Sequence, residues 1–241
     1  PQDDYSRTVL ALEKTLPPTP PAADAPVLLQ TKGLGKSFKL RGSGKRLQAV
    51  DSVDLTIRRG ETLGLVGESG SGKTTVGRCL LRLVEPDGGE ILFDGVDLAR
   101  AGAAEMRRMR KRVQIVFQDP LDALDPRWTV EAIIGEALEK PDPKRVRELL
   151  GLVGLTPEVA GIKPRSLAAG AQQRVSIARA IAAEPDLIVL DEPTSALTPL
   201  ARVGIVRLLR DLQARLGTSY LFISHDLSTV EHLSHSVAVM Y

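Results

Sequence analysis

An α/β core interrupted by a helical lobe is the fold class this chain predicts, on three observations. A glycine-rich loop, Gly67-Glu68-Ser69-Gly70-Ser71-Gly72-Lys73-Thr74-Thr75, joins an apolar run to a helix-compatible one. A second apolar run, Leu187-Ile188-Val189-Leu190, ends in the acidic pair Asp191-Glu192. Between the two, residues 119–183 carry helical patterning and no buried strand, so sheet-forming segments lie on both sides of a helical insertion.

The elements follow in chain order. Pro17, Pro18, Pro20, Pro21 and Pro26 mark a linker up to residue 26, preceded by residues 5–16, where Val9, Leu12 and Leu16 have the spacing of a short amphipathic helix. The core domain is expected from residue 27. Short β-like runs at residues 27–34 and 49–57 are separated by the turn residues Gly42-Ser43-Gly44. Leu63-Gly64-Leu65-Val66 reads as a buried strand, and the helix after the glycine-rich loop is expected to run to about Val84. Pro86-Asp87-Gly88-Gly89 is a turn before a strand at residues 90–93; a helix around residues 105–110 leads into a strand at residues 113–117. The sheet resumes at residues 187–190 and 220–223, separated by the long amphipathic segment 201–216. Residues 236–241 read as a strand with no closing turn, an end expected to be incomplete.

Composition sets the frame. A chain of 241 residues can bury one large core, or one domain with a smaller lobe. The formal net charge of +2 selects no partner, and aromatic residues, at 3%, are too scarce for base-stacking platforms, which disfavours nucleic acid. The basic run Met106-Arg107-Arg108-Met109-Arg110-Lys111-Arg112 reads as a solvated helix face. Cys79 stands alone, which excludes an intrachain disulfide, fits a reducing compartment and points to a buried thiol. No apolar run approaches the roughly twenty residues a membrane-spanning helix needs, and no signal-peptide pattern is present. His232 and His235 lack the companions of a metal site and read as ordinary residues.

The glycine-rich loop fills the pattern G-x-x-x-x-G-K-[ST], which binds a nucleoside triphosphate. Its glycines permit turns that aim successive backbone N–H groups at phosphate oxygens, and the following helix adds its positive end. Lys73 would reach the β- and γ-phosphates, the Thr74 hydroxyl would take one position on Mg²⁺, and Thr75 is helix surface or secondary support. Asp191 and Glu192 sit where a doubly buried strand emerges. There the first acid holds Mg²⁺, usually through water, and the second can act as general base on the attacking water. Solvated acids ending a strand are the bland alternative.

In this order the motifs resemble those of the ATP-binding cassette (ABC) ATPases across essentially all of residues 27–241. The resemblance implies a phosphate-loop NTPase core of ABC type with an antiparallel β subdomain and an inserted helical subdomain at about residues 119–183. It implies ATP and Mg²⁺ as cofactors. Gln118 matches the glutamine that contacts Mg²⁺ and transmits nucleotide state to the helical lobe, and His225, in Phe222-Ile223-Ser224-His225-Asp226, matches the histidine that contacts the γ-phosphate. Phe38 lies where the family places an adenine-stacking aromatic, with a core phenylalanine as the alternative. The block Gln118-Asp119-Pro120-Leu121-Asp122-Ala123-Leu124-Asp125-Pro126-Arg127 resembles QDPxxxLNPR of oligopeptide, dipeptide and nickel importer ATPases, with Asp125 in place of asparagine. That narrower resemblance implies uptake of peptides, with nickel or another small solute as the open alternative, through membrane permease subunits, indirectly with a solute-binding protein, and a peripheral location at the cytoplasmic face of the membrane. Residues 119–128 become the expected permease contact, with Leu124 and Trp128 as its probes. Residues 1–10 resemble the HPYTRxLL stretch that follows such cassettes, so residues 1–26 are expected to be the tail of a preceding cassette plus a linker.

One motif departs from the family. Where these importers carry LSGGQRQRV, this chain has Leu167-Ala168-Ala169-Gly170-Ala171-Gln172-Gln173-Arg174-Val175, and Thr198 replaces the usual aspartate after Ser195-Ala196-Leu197. In the family the signature of one cassette closes over the phosphates held by its partner. Ala168 lacks the serine hydroxyl and Ala169 adds a Cβ where phosphate should approach. The expectation is a pair with one competent and one degenerate ATP site, assembled with a second cassette fused upstream; a symmetric homodimer is the runner-up. A non-transport ABC ATPase and a regulatory cassette with little hydrolysis are the alternative functions.

Overall fold

Apolar residues alternate along the strands in a way that assigns each face to a different core. The computed structural model describes residue 22, residues 24–40, residue 42 and residues 45–241. The expected helix at residues 5–16, the expected cassette tail at residues 1–10 and residues 17–21 and 23 of the linker lie outside the described residues. A five-stranded parallel sheet has the order β6-β7-β8-β3-β9, formed by β3 (Thr62–Gly67), β6 (Val113–Val116), β7 (Leu187–Asp191), β8 (Ser219–Ser224) and β9 (Ser236–Met240). A four-stranded antiparallel sheet has the order β2-β1-β4-β5, formed by β1 (Val27–Lys39), β2 (Arg46–Arg58), β4 (Gly88–Phe93) and β5 (Val96–Asp97).

Ile188, Leu190, Tyr220 and Phe222 face one core, shared with the helical lobe. Leu187, Val189, Leu221 and Ile223 face the other, shared with the antiparallel sheet. Period-two alternation with both faces apolar is the pattern of a strand covered on both sides.

Helix α1 (Lys73–Leu80) lies against β7 and β8 at the short distance that Gly77 allows; a Cβ there would meet Val189 Cγ1 at 2.9 Å and Ile223 Cδ1 at 3.0 Å. It ends four residues before Val84, the expected stop. Arg82 enters the left-handed region at φ 47°, its N–H donating to Cys79 O, while its guanidinium donates to the carbonyls of Leu98 and Ala101. The stop is thus made by partners 16 and 19 residues away. Strand β1 in turn runs past residue 34 because bulges, one around Gly33 at φ 58°, let it keep pairing with β2 as far as Lys39. Cys79 is fully buried, and burial pushes its thiol up to about 11.

Helix α2 (Ala103–Arg112) buries Met106 and Met109 and exposes Arg107, Arg108, Arg110 and Lys111. The helical lobe comprises α3 (Val130–Ala137), α4 (Pro143–Leu152) and the start of α5 (Ala169–Ala182), with short 3-10 turns between. Asp142 caps α4 by accepting from the N–H groups of Lys144 and Arg145. Helices α6 (Pro199–Leu216) and α7 (Leu227–Leu233) complete the layer over β8 and β3.

A ring of alternating charges joins the two sheets. Arg59 donates to Asp94 at 2.7 Å and Asp186 at 2.9 Å, and Arg112 donates to the same two carboxylates at 2.7 and 2.6 Å. The Arg112 guanidinium also lies 5.1 Å from the Phe93 ring centroid. Hydrogen bonds from Arg112 and Arg59 hold the Asp94 carboxyl below its usual range. A depressed carboxylate contributes stability above its unfolded pKa and loses it as pH falls through the folded value. Each side chain is about a third exposed, so solvent screens the ring. Replacing Arg112 by Ala is expected to cost about 1 kcal/mol, a fall of roughly 2–4 °C in melting temperature, and to flatten the decline in stability as pH drops below about 4. Thermal melts from pH 3 to pH 8 check both; an unchanged midpoint and an unchanged acid limb would show that the ring contributes nothing.

Candidate functional site

Strands β3, β7 and β8 run parallel and end on the same side, so the loops after them converge at their carboxyl ends. The glycine-rich loop leaves β3 at Gly67 and enters α1 after Gly72. A Cβ at Gly67 would collide with the Met240 carbonyl oxygen; one at Gly72, which also sits at φ 95°, would collide with the Ala49 carbonyl oxygen. The loop is therefore pressed between β9 and β2 and only glycine fits at both ends. It forms the floor of a cleft of about 720 Å³ lined by Ser69, Gly70, Gly72, Lys73, Thr74 and Thr75 from the loop and α1, by Gln118, Glu192 and His225 from strand ends, and by Phe38, Leu47 and Ala49 from the β1–β2 arm.

Lys73 is buried and turned back on its own loop, its Nζ donating to the carbonyls of Gly67 at 2.9 Å and Glu68 at 2.7 Å and to Ser71 Oγ at 3.3 Å. The Glu68 side chain points into solvent, so this residue contributes its carbonyl. Thr74 Oγ1 donates to Asp191 Oδ1 at 2.8 Å. Asp191 is 2% exposed; burial pushes its carboxyl up, the Thr74 hydrogen bond and the charges of Arg78 and Lys73 pull it down, and Glu192 pushes it up, the net result lying above the ordinary value.

Glu192 adopts φ 46°, a left-handed conformation that costs a non-glycine residue about 1–3 kcal/mol. The turn is held by its N–H donating to Ile223 O at 3.0 Å and by the Ser195 N–H and Oγ donating to its carbonyl. It aims the carboxylate at His225, whose Nδ1 lies 3.1 Å from Glu192 Oε2. Asp226 fixes the loop behind the histidine. Its carboxylate caps α7 through the Ser228 N–H and accepts from Ser228 Oγ, Thr229 Oγ1 and Arg202. Burial raises this carboxyl, but the hydrogen bonds and Arg202 outweigh it and leave it below its usual range.

The sequence-predicted residues divide by place. Gln118, two residues past β6, is exposed at the cleft edge and also borders an adjoining groove of about 390 Å³ with Asp191, Ala169 and Gln172. Phe38 is 39% exposed and lines the cleft, so it is not a core phenylalanine. Ala168 and Ala169 begin α5 on the exposed surface, with Ala168 as an N-cap that makes no side-chain hydrogen bond; Gly170 and Ala171 continue the helix, and none of the four lines the cleft that holds Lys73. Leu124 is 1% exposed and packs in the core of the helical lobe, which corrects its expected place on a permease-facing surface; Trp128 is 40% exposed. His235 accepts the Thr62 N–H at 2.8 Å. Leu47 carried no motif, and Asp226 stood in the histidine's stretch with no role of its own. Leu47 reaches the cleft only through antiparallel register, opposite Phe38.

Comparison with known proteins agrees with this geometry. Residues 50–195 match the family model described as ABC transporter. Oligopeptide transport ATP-binding protein AppF of Bacillus subtilis is 42% identical over 233 residues, 91% of this chain and 71% of AppF. A Brucella ovis protein named, provisionally, for peptide import and ATP binding is 47% identical over 221 residues, 89% of this chain and 69% of that protein. Oligopeptide transport ATP-binding protein OppD of Mycobacterium tuberculosis is 47% identical over 219 residues, but the chain spans only 36% of OppD. Among solved structures, the dimeric ATP-binding cassette MJ0796 in a post-hydrolysis state with ADP and Pi superposes with a TM-score of 0.79 at 28% identity, covering 88% of this chain and 94% of that one. With its phosphate loop, acidic strand end and histidine gathered on one parallel sheet, this chain belongs to the ABC transporter family of ATP-binding, ATP-hydrolysing cassettes.

Proposed function

We propose that the chain is the motor domain of an importer that takes up peptides through membrane permease subunits. The observation that carries the reading is the paired contact at one sheet end, Thr74 to Asp191 and His225 to Glu192, beside a loop that tolerates only glycine at Gly67 and Gly72. The peptide class comes from relatives named for peptide import and oligopeptide transport. Among the described residues no helix is long and apolar enough to cross a membrane. The position proposed with this role is peripheral, at the cytoplasmic face through permease subunits.

The residues fit ATP with Mg²⁺. Mg²⁺ takes hard oxygen ligands and few from protein, the rest coming from water and phosphate; the Thr74 hydroxyl, the Asp191 carboxylate and the Gln118 amide oxygen are the groups that would hold it. Bound with the nucleotide, it supplies neutralisation of the charge on the phosphate oxygens. Residues Gly67, Glu68, Ser69, Gly70, Ser71, Gly72, Lys73, Thr74 and Thr75 hold the phosphates, Lys73 exchanging its carbonyl partners for phosphate oxygen. Phe38 stacks on the base. Glu192 takes the proton from the attacking water, and His225 orients that carboxylate through Nδ1 and senses the terminal phosphate.

A second cassette completes the site. Ala168, Ala169, Thr198 and Leu200 lie exposed at the starts of α5 and α6, a surface suited to a facing cassette, fused upstream in one polypeptide or paired as a separate chain. On the partner's phosphates, Ala168 offers no hydroxyl, and a lost hydrogen bond to a charged group is worth about 1.5–3 kcal/mol, roughly ten- to a hundredfold in rate. One competent site, built on the residues named here, and one degenerate site result. A regulatory cassette with little hydrolysis is favoured by Ala168, Ala169 and Ala171 and opposed by the Glu192–His225 pair.

Three measurements test this reading. Glu192→Gln is expected to retain ATP binding and to lower steady-state turnover of the assembly by about 10²–10⁴-fold, whereas Ala168→Ser with Ala169→Gly raises it; turnover near the parent's in the first variant moves catalysis to the other site. Trp128→Asp is expected to reduce co-purification with the permease subunits while ATP binding is kept, and undiminished co-purification rejects that contact. Because the folded pKa of Asp191 is raised, its ionisation opposes folding at every pH above the ordinary carboxylate range. Nucleotide-free Asp191→Asn should therefore melt higher than the parent at pH 7, with the difference vanishing below about pH 4, and should be inactive; a lower melting temperature would contradict the electrostatics described here.

A further inference from the structure

We propose that Asp87, which belongs to no nucleotide-binding motif, is the positioning residue for recognition of the base: it anchors the β1–β2 arm and so sets Phe38 at the mouth of the cleft. The inference rests on the reading of Phe38 as the base platform. Pairing between β1 and β4 stops at Gly35 opposite Gly88, so beyond Gly35 β1 has β2 as its only ladder partner among the described residues. Two strands alone are marginal in water. Asp87 is the next residue of the turn before β4, and its N–H donates to Gly35 O at 2.8 Å.

Its carboxylate then does what a third strand would do. Oδ2 accepts the Ser37 backbone N–H at 2.9 Å, Ser37 Oγ at 2.7 Å and Arg46 Nη2 at 3.0 Å, and Oδ1 accepts Lys36 Nζ at 2.9 Å. Arg46 closes the cluster from β2 by donating to Ser37 Oγ through Nε at 2.9 Å and Nη2 at 2.6 Å. Both strands of the arm are thereby tied to one side chain. The Lys36 ammonium also lies 5.5 Å from the Phe38 ring centroid, so carboxylate, cation and ring form one linked unit. Leu47, paired opposite Phe38 and also lining the cleft, is held by the same anchor one residue from Arg46.

The anchor holds the base end of the cleft and leaves the phosphate end alone. Lys73, Thr74 and the loop have their own partners, and among the described residues of the arm the one that touches them is Ala49, whose carbonyl packs against Gly72. Loss of Asp87 should thus separate two ligands that share a triphosphate and differ in the base.

The test measures binding of Mg-ATP and of Mg-tripolyphosphate to the full chain by calorimetry, for the parent, Asp87→Ala, Asp87→Asn and Phe38→Ala, with melting curves for each. Asp87→Ala is expected to weaken ATP by about five- to fiftyfold, within the range of one base–aromatic stack, and to leave tripolyphosphate unchanged. Asp87→Asn should fall between, since its amide oxygen still accepts from Ser37. Combining Asp87→Ala with Phe38→Ala should weaken ATP no further than Phe38→Ala alone, the signature of two residues acting through one contact. ATP affinity unchanged in Asp87→Ala while Phe38→Ala loses it overturns the proposal, as does equal weakening of both ligands, the mark of a general structural loss. If Phe38→Ala keeps full ATP affinity, the platform reading itself falls and this inference with it.

Discussion

The hydrogen bond from Thr74 to Asp191 connects the first turn of α1 to the end of β7, and the rest of the site depends on that alignment. It exists because β3 and β7 flank β8 in one parallel sheet, so the loop after β3 and the acids after β7 leave the sheet at the same level. A slip of one residue in β7 would turn Asp191 to the opposite face and exchange the cores that its side chains enter. The buried residues of the strands thus specify the register, and the register specifies the chemistry. The cost is a carboxylate kept in an apolar setting, met by the hydroxyl and by nearby cations.

Much of the nucleotide end was legible in the sequence because the chemistry requires particular residue types at strand ends. The glycine-rich loop, Asp191-Glu192 and His225 stand beside apolar runs that form β3, β7 and β8, and the structure brings them together. What was not legible comes from contacts distant in the chain. The early end of α1 is imposed by Arg82 reaching the carbonyls of Leu98 and Ala101. Strand β1 continues through polar residues because β2 supplies ladder partners that no local pattern announces. Leu124 sits among surface-like neighbours in sequence, yet the lobe folds it inward. The left-handed turn at Glu192 is equally silent, since nothing in the residue type signals it.

The base end of the cleft illustrates a different limit. Phe38 could be read as a core residue or as an aromatic platform, and only its exposure separates the two. The arm that carries it owes its position to a carboxylate some fifty positions further along the chain. Polar networks of this kind leave no periodic trace.

The division of the parallel sheet into two faces has a consequence for how the molecule opens. Residues 187–190 and 220–223 belong in alternation to the core under the helical lobe and the core under the antiparallel sheet. Loosening either covering layer alone leaves every second side chain of these strands still packed. Their amides should therefore be the slowest in the protein to exchange with solvent deuterium, opening only with global unfolding, while α3 and α4 exchange through a cheaper, local event. The lobe is then free to fluctuate as a unit above a wall that does not yield. In that sense the middle strands act as a firewall: disorder on one side of the sheet is not transmitted to the other.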